Sequence, residues 1–368
     1  MLKLLIKICI LILISGCTNL VNNKANKPVA ISRSTDAIAV ASRISLPVMS
    51  KVVAGNRFYY VRLRIGDGPE TNVILDTGSI GLRAISTVVP HRNQFGRTIV
   101  YSYESGNELH GSVSNERITA GEHQLGTIPI QVVDQLRCSA QVPNCTVAKL
   151  APSTPFAQGI DGRSSQEFGG IMGIRLYSHD RLIPNPLRAA GFKGWIVQLP
   201  RPGEEQGALI LNPSMAELKG FTRIKVDKNG SVPACLDSGN ATQILCLPTV
   251  LDSGDPHVFI FERNVKNHVM SPGTLVKLSL FDGDRDDQKV VLKFTSAQNP
   301  GKESKELLHY NPALISFKSL NRMYDTPFIN SGYLPFLDYL IYFDAKDSVI
   351  GMQERKIANP SGQQTVAN

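Results

Sequence analysis

Val73-Ile74-Leu75-Asp76-Thr77-Gly78-Ser79 is a stretch that returns later in the chain as Ala234-Cys235-Leu236-Asp237-Ser238-Gly239-Asn240. Each copy is an apolar run, typical of a buried strand, that ends in Asp, a small hydroxyl residue and Gly. A carboxylate at the end of an apolar strand is costly to leave unpaired, because desolvation disfavours its charged form. Two such carboxylates can share one proton and together activate a water molecule. The repeat therefore predicts an acid pair formed by Asp76 and Asp237.

A third match, Leu251-Asp252-Ser253-Gly254-Asp255-Pro256, competes for the second position. Asp76 precedes Gly173, the end of an apolar-apolar-Gly element, by 97 positions, and Asp237 precedes a similar Gly332 by 95. Asp252 precedes Gly332 by only 80 positions, and the Asp255-Pro256 pair crowds its turn. The spacing rule therefore rejects Asp252 and keeps Asp237 as the second aspartate.

Short β-rich runs separated by Gly, Asn, Asp or Pro dominate the chain, and helical periodicity is scarce. The clearest runs are 58–65, 98–103, 207–211 and 275–280. The best helix candidate is 186–190, which begins with Pro and is followed by Gly191. These features predict an all-β protein. The region between the expected tether and tail has about 310 residues, which is more than a single hydrophobic core usually contains. Two lobes are therefore expected, at 45–200 and 201–353.

The N-terminus carries the pattern of an export signal. Residues 1–16 combine a basic start with an apolar stretch too short for a permanent membrane span, and Ile14-Ser15-Gly16-Cys17 resembles the lipobox of bacterial lipoproteins. That resemblance implies a diacylglycerol-modified and acylated Cys17 and, because residue 18 is not Asp, the outer membrane with the domain facing the periplasm. An ordinary signal peptide or a membrane helix is the alternative. Residues 17–44 are expected to form a flexible tether, and 354–368 a disordered tail.

Charge and cysteine content restrict the classes of partner. The net charge is +8, and it falls to +6 once residues 1–16 are removed; it is spread without a polybasic block, which argues against nucleic acid. Four cysteines remain beside Cys17 after removal of the signal, as two local pairs, Cys138/Cys145 and Cys235/Cys246. In an exported chain they are interpreted as disulfides, with zinc ligands or reduced thiols as alternatives. No metal-ligand pattern of His residues is present, and no cofactor is expected.

The paired phrases, the two apolar-apolar-Gly elements and the stretch 341–352 together resemble the pepsin-like aspartic peptidase family over about residues 50–353. In that family each lobe supplies one D-[ST]-G loop, an apolar-apolar-Gly strand passes beneath it, and a cleft between the lobes binds an extended peptide. The resemblance implies a two-lobed all-β fold with a central cleft. It also implies peptide hydrolysis by an Asp dyad.

The resemblance assigns supporting roles to the residues around the two aspartates. Thr77 and Ser238 would hydrogen-bond across the lobe interface, and Gly78 and Gly239 would let the backbone approach the carboxylates. Ser79 would be the outer hydrogen-bond partner of Asp76. In the second copy Asn240 stands where the family has Ser or Thr.

A flap over the cleft is expected from the strand at 99–103, the turn Ser105-Gly106-Asn107 and the strand at 109–113. Tyr103 or Tyr101 would supply the ring that leans over a substrate. The two residues are two apart and so share one face of a strand. Tyrosines that merely pack at a sheet edge are an equally good interpretation of either one alone.

Two features depart from the family pattern. Arg83 lies where an aromatic residue usually hydrogen-bonds the flap tyrosine, and a cation beside the dyad would favour ionised carboxylates. Asn330-Ser331 precedes Gly332 where apolar residues are expected.

Three functions are compatible with the sequence. The first is a monomeric, lipid-anchored endopeptidase of the cell envelope that takes polypeptide substrates. The second, motivated by Arg83 and Asn240, is an inactive relative that binds peptides or envelope partners. The third is a structural protein whose aspartates only join two lobes, and it is disfavoured because such a pair costs desolvation without gain.

Overall fold

The structure is a computed structural model, and its described part comprises residues 42–53, 55–90, 96–149, 159–160, 167–176, 182–239, 244–283, 287–297, 312–320 and 326–356. The predicted signal peptide, Cys17 and Asn240 lie outside the described residues. No helix in these ranges is long and apolar enough to cross a membrane.

The described chain is all-β, as predicted, with two short helices. The strands are β1 (Ile44–Val53), β2 (Asn56–Ile65), β3 (Glu70–Asp76), β4 (Ile80–Ile85), β5 (Thr98–Ser102), β6 (Asn107–Ala120), β7 (His123–Cys138), β8 (Gly170–Ile174), β9 (Gly194–Gln198), β10 (Gly207–Leu211), β11 (Thr222–Lys225), β12 (Val232–Asp237), β13 (Leu245–Val250), β14 (Val258–Glu262), β15 (His268–Val269), β16 (Leu275–Phe281), β17 (Gln288–Ser296), β18 (Pro312–Ala313), β19 (Ile315–Ser319), β20 (Phe328–Asn330), β21 (Tyr339–Asp344) and β22 (Val349–Glu354). The helices are α1 (Pro186–Ala189) and α2 (Leu334–Asp338).

The predicted runs coincide with β2, β5, β10 and β16, and the predicted helix coincides with α1. The helix begins where the sequence signals indicate. Pro186 occupies its first turn, and the Asn185 side chain accepts hydrogen bonds from the backbone N–H groups of Leu187 and Arg188.

The first sheet has 13 strands in the order β11-β22-β21-β9-β10-β1-β2-β3-β8-β4-β7-β6-β5. Strand β1 joins its two parts, because Ile44–Val48 pair with β10 and Met49–Val53 pair with β2. Strands β10, β11, β21 and β22 belong to the predicted C-terminal lobe, so this sheet crosses the boundary expected at residue 200.

The second sheet has nine strands in the order β15-β19-β14-β20-β13-β12-β16-β17-β18. It is built entirely from residues that follow β11. One apolar cluster includes side chains from both sheets, such as Leu75 and Leu278.

Five strands of each sheet repeat one arrangement. The orders are β2-β3-β8-β4-β7 and β12-β13-β20-β14-β19, and in both the successive pairs are antiparallel, parallel, antiparallel and parallel. The repeat makes β13 the counterpart of β3, and β12 the counterpart of β2.

The boundaries expected for the tether (17–44) and for the tail (354–368) include residues that belong to the folded part. Ile44, assigned to the tether, starts β1 and is buried. Glu354 ends β22, and Arg355 is buried, with its Nη2 donating to Glu204 Oε2 at 2.7 Å. Hydrogen bonds of both ends to the sheet therefore fix residues that composition alone assigned to loose segments.

Candidate active site

Asp76 is the last residue of β3 and is 6% exposed. Its Oδ1 accepts hydrogen bonds from the backbone N–H groups of Gly78 at 2.8 Å and Ser79 at 2.9 Å, and its Oδ2 accepts one from the Ser79 hydroxyl. Ser79 is thus the outer partner that the resemblance implied. Three donors from its own turn therefore fix the orientation of this carboxyl group.

Asp252, and not Asp237, lies opposite Asp76. A Cβ atom placed on Gly78 would lie 2.2 Å from Asp252 Cγ, and one placed on Gly254 would lie 2.8 Å from Asp76 Cγ. Each glycine therefore faces the carboxyl group of the other loop at a distance that excludes any side chain. Gly78 has the predicted role, and Gly254 takes the one expected of Gly239.

Four hydrogen bonds hold the two loops together in a reciprocal arrangement. Thr77 Oγ1 donates to Leu251 O at 2.7 Å and accepts from Ser253 N at 2.8 Å. Ser253 Oγ donates to Leu75 O at 2.6 Å and accepts from Thr77 N at 3.0 Å. Thr77 and Ser253 are both buried, so the cross-interface bonds predicted for Thr77 and Ser238 are made by Thr77 and Ser253 instead.

The choice of Asp237 was wrong, and the repeated strand order explains why. Asp237 ends β12, the counterpart of β2, where it pairs with Lys277 of β16. Its Oδ1 accepts a hydrogen bond from Gly239 N at 2.8 Å, while Gly239 is exposed and has open space where a Cβ would be. Asp237, Ser238 and Gly239 thus form a surface turn at the end of a hairpin strand.

The equal-spacing rule failed because the segment between β4 and β8 is longer than the segment between their counterparts β14 and β20, and the hairpins within these segments differ in length. Strands β6 and β7 have 14 and 16 residues, whereas β16 and β17 have 7 and 9. Hairpin extension costs little thermodynamically, so distance along the chain is a poor guide to equivalent positions. The Asp255-Pro256 turn does not obstruct the loop either: Asp255 O accepts a hydrogen bond from Tyr333 N at 3.0 Å.

The two predicted glycine elements do pass next to the loops. Gly173 is the register partner of Asp76, and a Cβ there would lie 2.6 Å from Ile80 N. Gly332 has φ +57°, and a Cβ there would lie 2.4 Å from His257 O. Close backbone approach therefore requires glycine at both positions.

Asn330, noted above as a departure from the family pattern, supplies a hydrogen bond that the second loop lacks. Residue 255, the counterpart of Ser79, is an aspartate and cannot donate as a carboxylate. Asn330 Nδ2 donates to Asp252 Oδ2 at 2.7 Å, and Gly254 N donates to Oδ1 at 2.8 Å. The polar residue before Gly332 therefore serves Asp252, the aspartate that follows the strand parallel to β20.

The surroundings of Asp252 change the pKa of its carboxyl group. Burial raises the pKa of Asp252 well above its usual value, and the negative charges of Asp76 and Asp255 raise it further. The hydrogen bonds from Asn330 and Gly254 oppose this increase in the pKa. The protonated form of Asp252 is therefore favoured.

Strands β5 and β6 form the predicted hairpin, here called the flap hairpin (residues 98–113), with a turn in which Gly106 N donates to Tyr103 O at 2.9 Å. The hydroxyl of Tyr103 is buried; its pKa is raised chiefly by burial and also by the charge of Asp76. Burial, and then the charge of Asp252, raise the pKa of Glu104 to about 8. The turn of the flap hairpin therefore lies close to both aspartates.

Both predicted cysteine pairs form disulfides, Cys138–Cys145 and Cys235–Cys246. The second links β12 to β13, the strand that leads into Asp252. Within the described ranges, no group of three or more His, Cys, Asp or Glu side chains is arranged to hold a metal ion.

Comparison with known proteins adds no assignment: no family model matches the chain, and no curated protein sequence matches it significantly.

Proposed function

We propose that this protein is an aspartic-type endopeptidase in which Asp76 and Asp252 activate a water molecule that attacks a peptide bond. The supporting observation is the reciprocal hydrogen bonding of Thr77 and Ser253, which holds the two Asp loops with their carboxyl groups next to each other. The location of Tyr103 and Glu104 next to the same pair gives the site a cover under which an extended peptide would bind.

The chemistry follows from one proton shared by two acids. The ionised carboxylate takes a proton from water as the water oxygen attacks the scissile carbonyl carbon, and the protonated carboxyl group donates to the carbonyl oxygen. Transfer of a proton to the nitrogen then lets the carbon–nitrogen bond break. The raised pKa of Asp252 favours it as the proton donor in the first step, although the proton belongs to the coupled pair.

The fold and location belong to the same proposal. The repeated five-strand arrangement, with one Asp-containing loop in each copy, supports a two-lobed pepsin-like architecture with the site between the lobes. Two disulfides are consistent with an oxidising compartment. Together with the lipobox, they support a lipid-anchored protein of the cell envelope, at the outer membrane and facing the periplasm.

Three matched substitutions test the enzyme and the identity of its acids. Asp76→Asn and Asp252→Asn should each lower kcat/KM for a peptide library by at least about 10²-fold, the usual contribution of one acid–base group, while Asp237→Asn should leave it unchanged. Activity of wild type should fall as the pH rises, because the protonated form of Asp252 is lost. Loss of activity in Asp237→Asn with retention in Asp252→Asn would overturn the dyad.

A peptide-binding protein without turnover is the second candidate. Arg83 supports it, because this buried cation lies where the pepsin-like pattern has an aromatic residue that hydrogen-bonds the flap tyrosine. Saturable binding of peptides by wild type, without cleavage between pH 3 and pH 8, would select this candidate and reject the enzyme.

A further inference from the structure

Arg83 is a fully buried cation in the middle of β4, at 0% exposure. Its Nη1 donates to Ile80 O and, at 3.2 Å, to Gly81 O. Its Nε and Nη2 are buried and have no hydrogen-bond partner among the residues that the structure describes. A buried guanidinium needs compensation for its lost hydration, and carbonyl groups on Nη1 alone provide only part of it.

The remaining compensation comes from an aromatic face. Arg83 Cζ lies 3.4 Å from the ring centroid of Tyr101, in contact with a side chain of the flap hairpin. The planar, weakly hydrated guanidinium is the cation best suited to such a contact, and the contact is strongest where water is excluded. This arrangement was not foreseen in the sequence, where Arg83 was only a departure from an aromatic pattern.

Tyr101 in turn contacts Tyr103, which lies next to the first aspartate. The rings of Tyr101 and Tyr103 meet edge to face, with centroids 4.9 Å apart. The Tyr103 hydroxyl is buried close to Ser79 and Asp76, both of which affect its ionisation. Arg83, Tyr101 and Tyr103 therefore form one continuous row of side chains that leads from β4 to the first aspartate.

We propose that Arg83 is a positioning residue that holds the flap hairpin over the two aspartates by stacking on Tyr101. The relevance of this role to catalysis rests on the proposed peptidase function, whereas the stacking itself does not. Strand β6 of the hairpin is paired with β7 along its length, and the turn is attached where Ser139 N donates to Gly106 O at 2.8 Å. Arg83 adds a contact to β5, the edge strand of the hairpin, and the loop closed by the Cys138–Cys145 disulfide contacts its tip.

Hydrogen exchange of the backbone amides at 98–112 in the full-length protein tests the stacking without any assay of activity. Tyr101→Leu should speed exchange in this segment about tenfold or more, whereas Tyr101→Phe, which keeps the ring, should leave it near wild type. Arg83→Met should match Tyr101→Leu, and the double variant should add nothing further. Arg117→Met, which removes an exposed arginine of β6 that pairs with Asp67, is the control and should not affect the segment.

The Tyr101 variants keep the buried arginine, so they test the positioning role even if Arg83→Met does not fold. Equal exchange in Tyr101→Leu and Tyr101→Phe would overturn the positioning role. If exchange behaves as expected, Tyr101→Leu should also have a kcat/KM about tenfold lower than that of Tyr101→Phe. An increase in exchange with no cleavage by any form, wild type included, would reject the peptidase and leave the stacking intact.

Discussion

Glu104 shows how the charge of a single residue responds to its position at the tip of the flap hairpin. Its pKa of about 8 lies far above the usual value of 4.5, mainly because the side chain is buried and secondarily because Asp252 is close. Between these two values the folded protein binds more protons at Glu104 than the unfolded chain does. Stability therefore falls as the pH rises through this window.

Glu104→Gln should remove that loss, because glutamine stays neutral at every pH. We expect the variant to match wild type at pH 4 and to exceed it at pH 8 by at least about 1 kcal/mol, since one pKa unit corresponds to about 1.4 kcal/mol. Urea unfolding of both proteins at the two pH values measures the difference. Glu70→Gln, at an exposed position of β3, is the control, and a variant less stable than wild type at pH 8 would contradict the expectation.

All three Asp-containing turns have the same local geometry. In each, the carboxyl Oδ1 of Asp76, Asp237 or Asp252 accepts a hydrogen bond at 2.8 Å from the backbone N–H two residues later. The Asp-hydroxyl-Gly sequence thus forms the same turn in all three copies, including the one that was rejected because of Asp255-Pro256. Local sequence could not choose between the second and third copies, because the difference lies in which strand pairs with which.

At the scale of secondary-structure elements, the two Asp loops stabilise each other through Thr77 and Ser253. Each hydroxyl both donates to and accepts from the opposite loop, so removal of one leaves a buried donor and a buried acceptor unpaired. Removal of either hydroxyl oxygen should therefore lower the stability of the contact between the two loops.

Thr77→Val, which keeps the shape of the side chain, should lower the free energy of unfolding by about 2–4 kcal/mol, because each unsatisfied buried group costs about 1–3 kcal/mol. Ser253→Ala should act similarly, and the double variant should lose less than the sum. Chemical denaturation measures all three. Thr274→Val, whose hydroxyl donates to Ser271 O near the surface, should change stability by less than about 1 kcal/mol. Additive effects of the two loop variants would argue against a shared interface.

The strands were predictable from the alternation of apolar and polar residues and from the turn residues between them. The first Asp loop was predictable from its Asp-Thr-Gly sequence after an apolar run. The pairing of β13 with β20 was not, since a parallel pair between strands far apart in sequence has no local signature. Asn330 is the exception in hindsight: a polar residue in a buried strand needs a partner, and Asp252 is the acid that it reaches.

At the scale of the whole molecule, the first sheet binds the two halves of the chain together. Strand β9 pairs with β10 on one side and with β21 on the other. Trp195 of β9, the single tryptophan of the chain, is fully buried and stacks on Phe343 of β21 with ring centroids 6.2 Å apart. The fluorescence of Trp195 therefore depends on the packing of β9 against β21, which joins the two halves of the chain.

We expect the red shift of Trp195 emission and the loss of far-ultraviolet circular dichroism to share one midpoint in urea, because the halves cannot unfold separately without opening this sheet. Phe343→Leu should lower both midpoints together, at a cost of about 1–2 kcal/mol for the lost aromatic packing. Val100→Ala, at an exposed position of β5, is the control. Two separate midpoints in wild type would show that the halves unfold independently.

The pairing of β9 with β21 also dictates an order of events during synthesis. The first half of the chain is complete long before its neighbour in the sheet exists, so β9 has a free edge until β21 and β22 arrive. A ribosome that stops before Tyr339 yields a polypeptide that contains both aspartates but lacks the strands that close the sheet. An unpaired strand edge of this kind can pair with strands of other chains. Such fragments should therefore aggregate and should not retain partial activity.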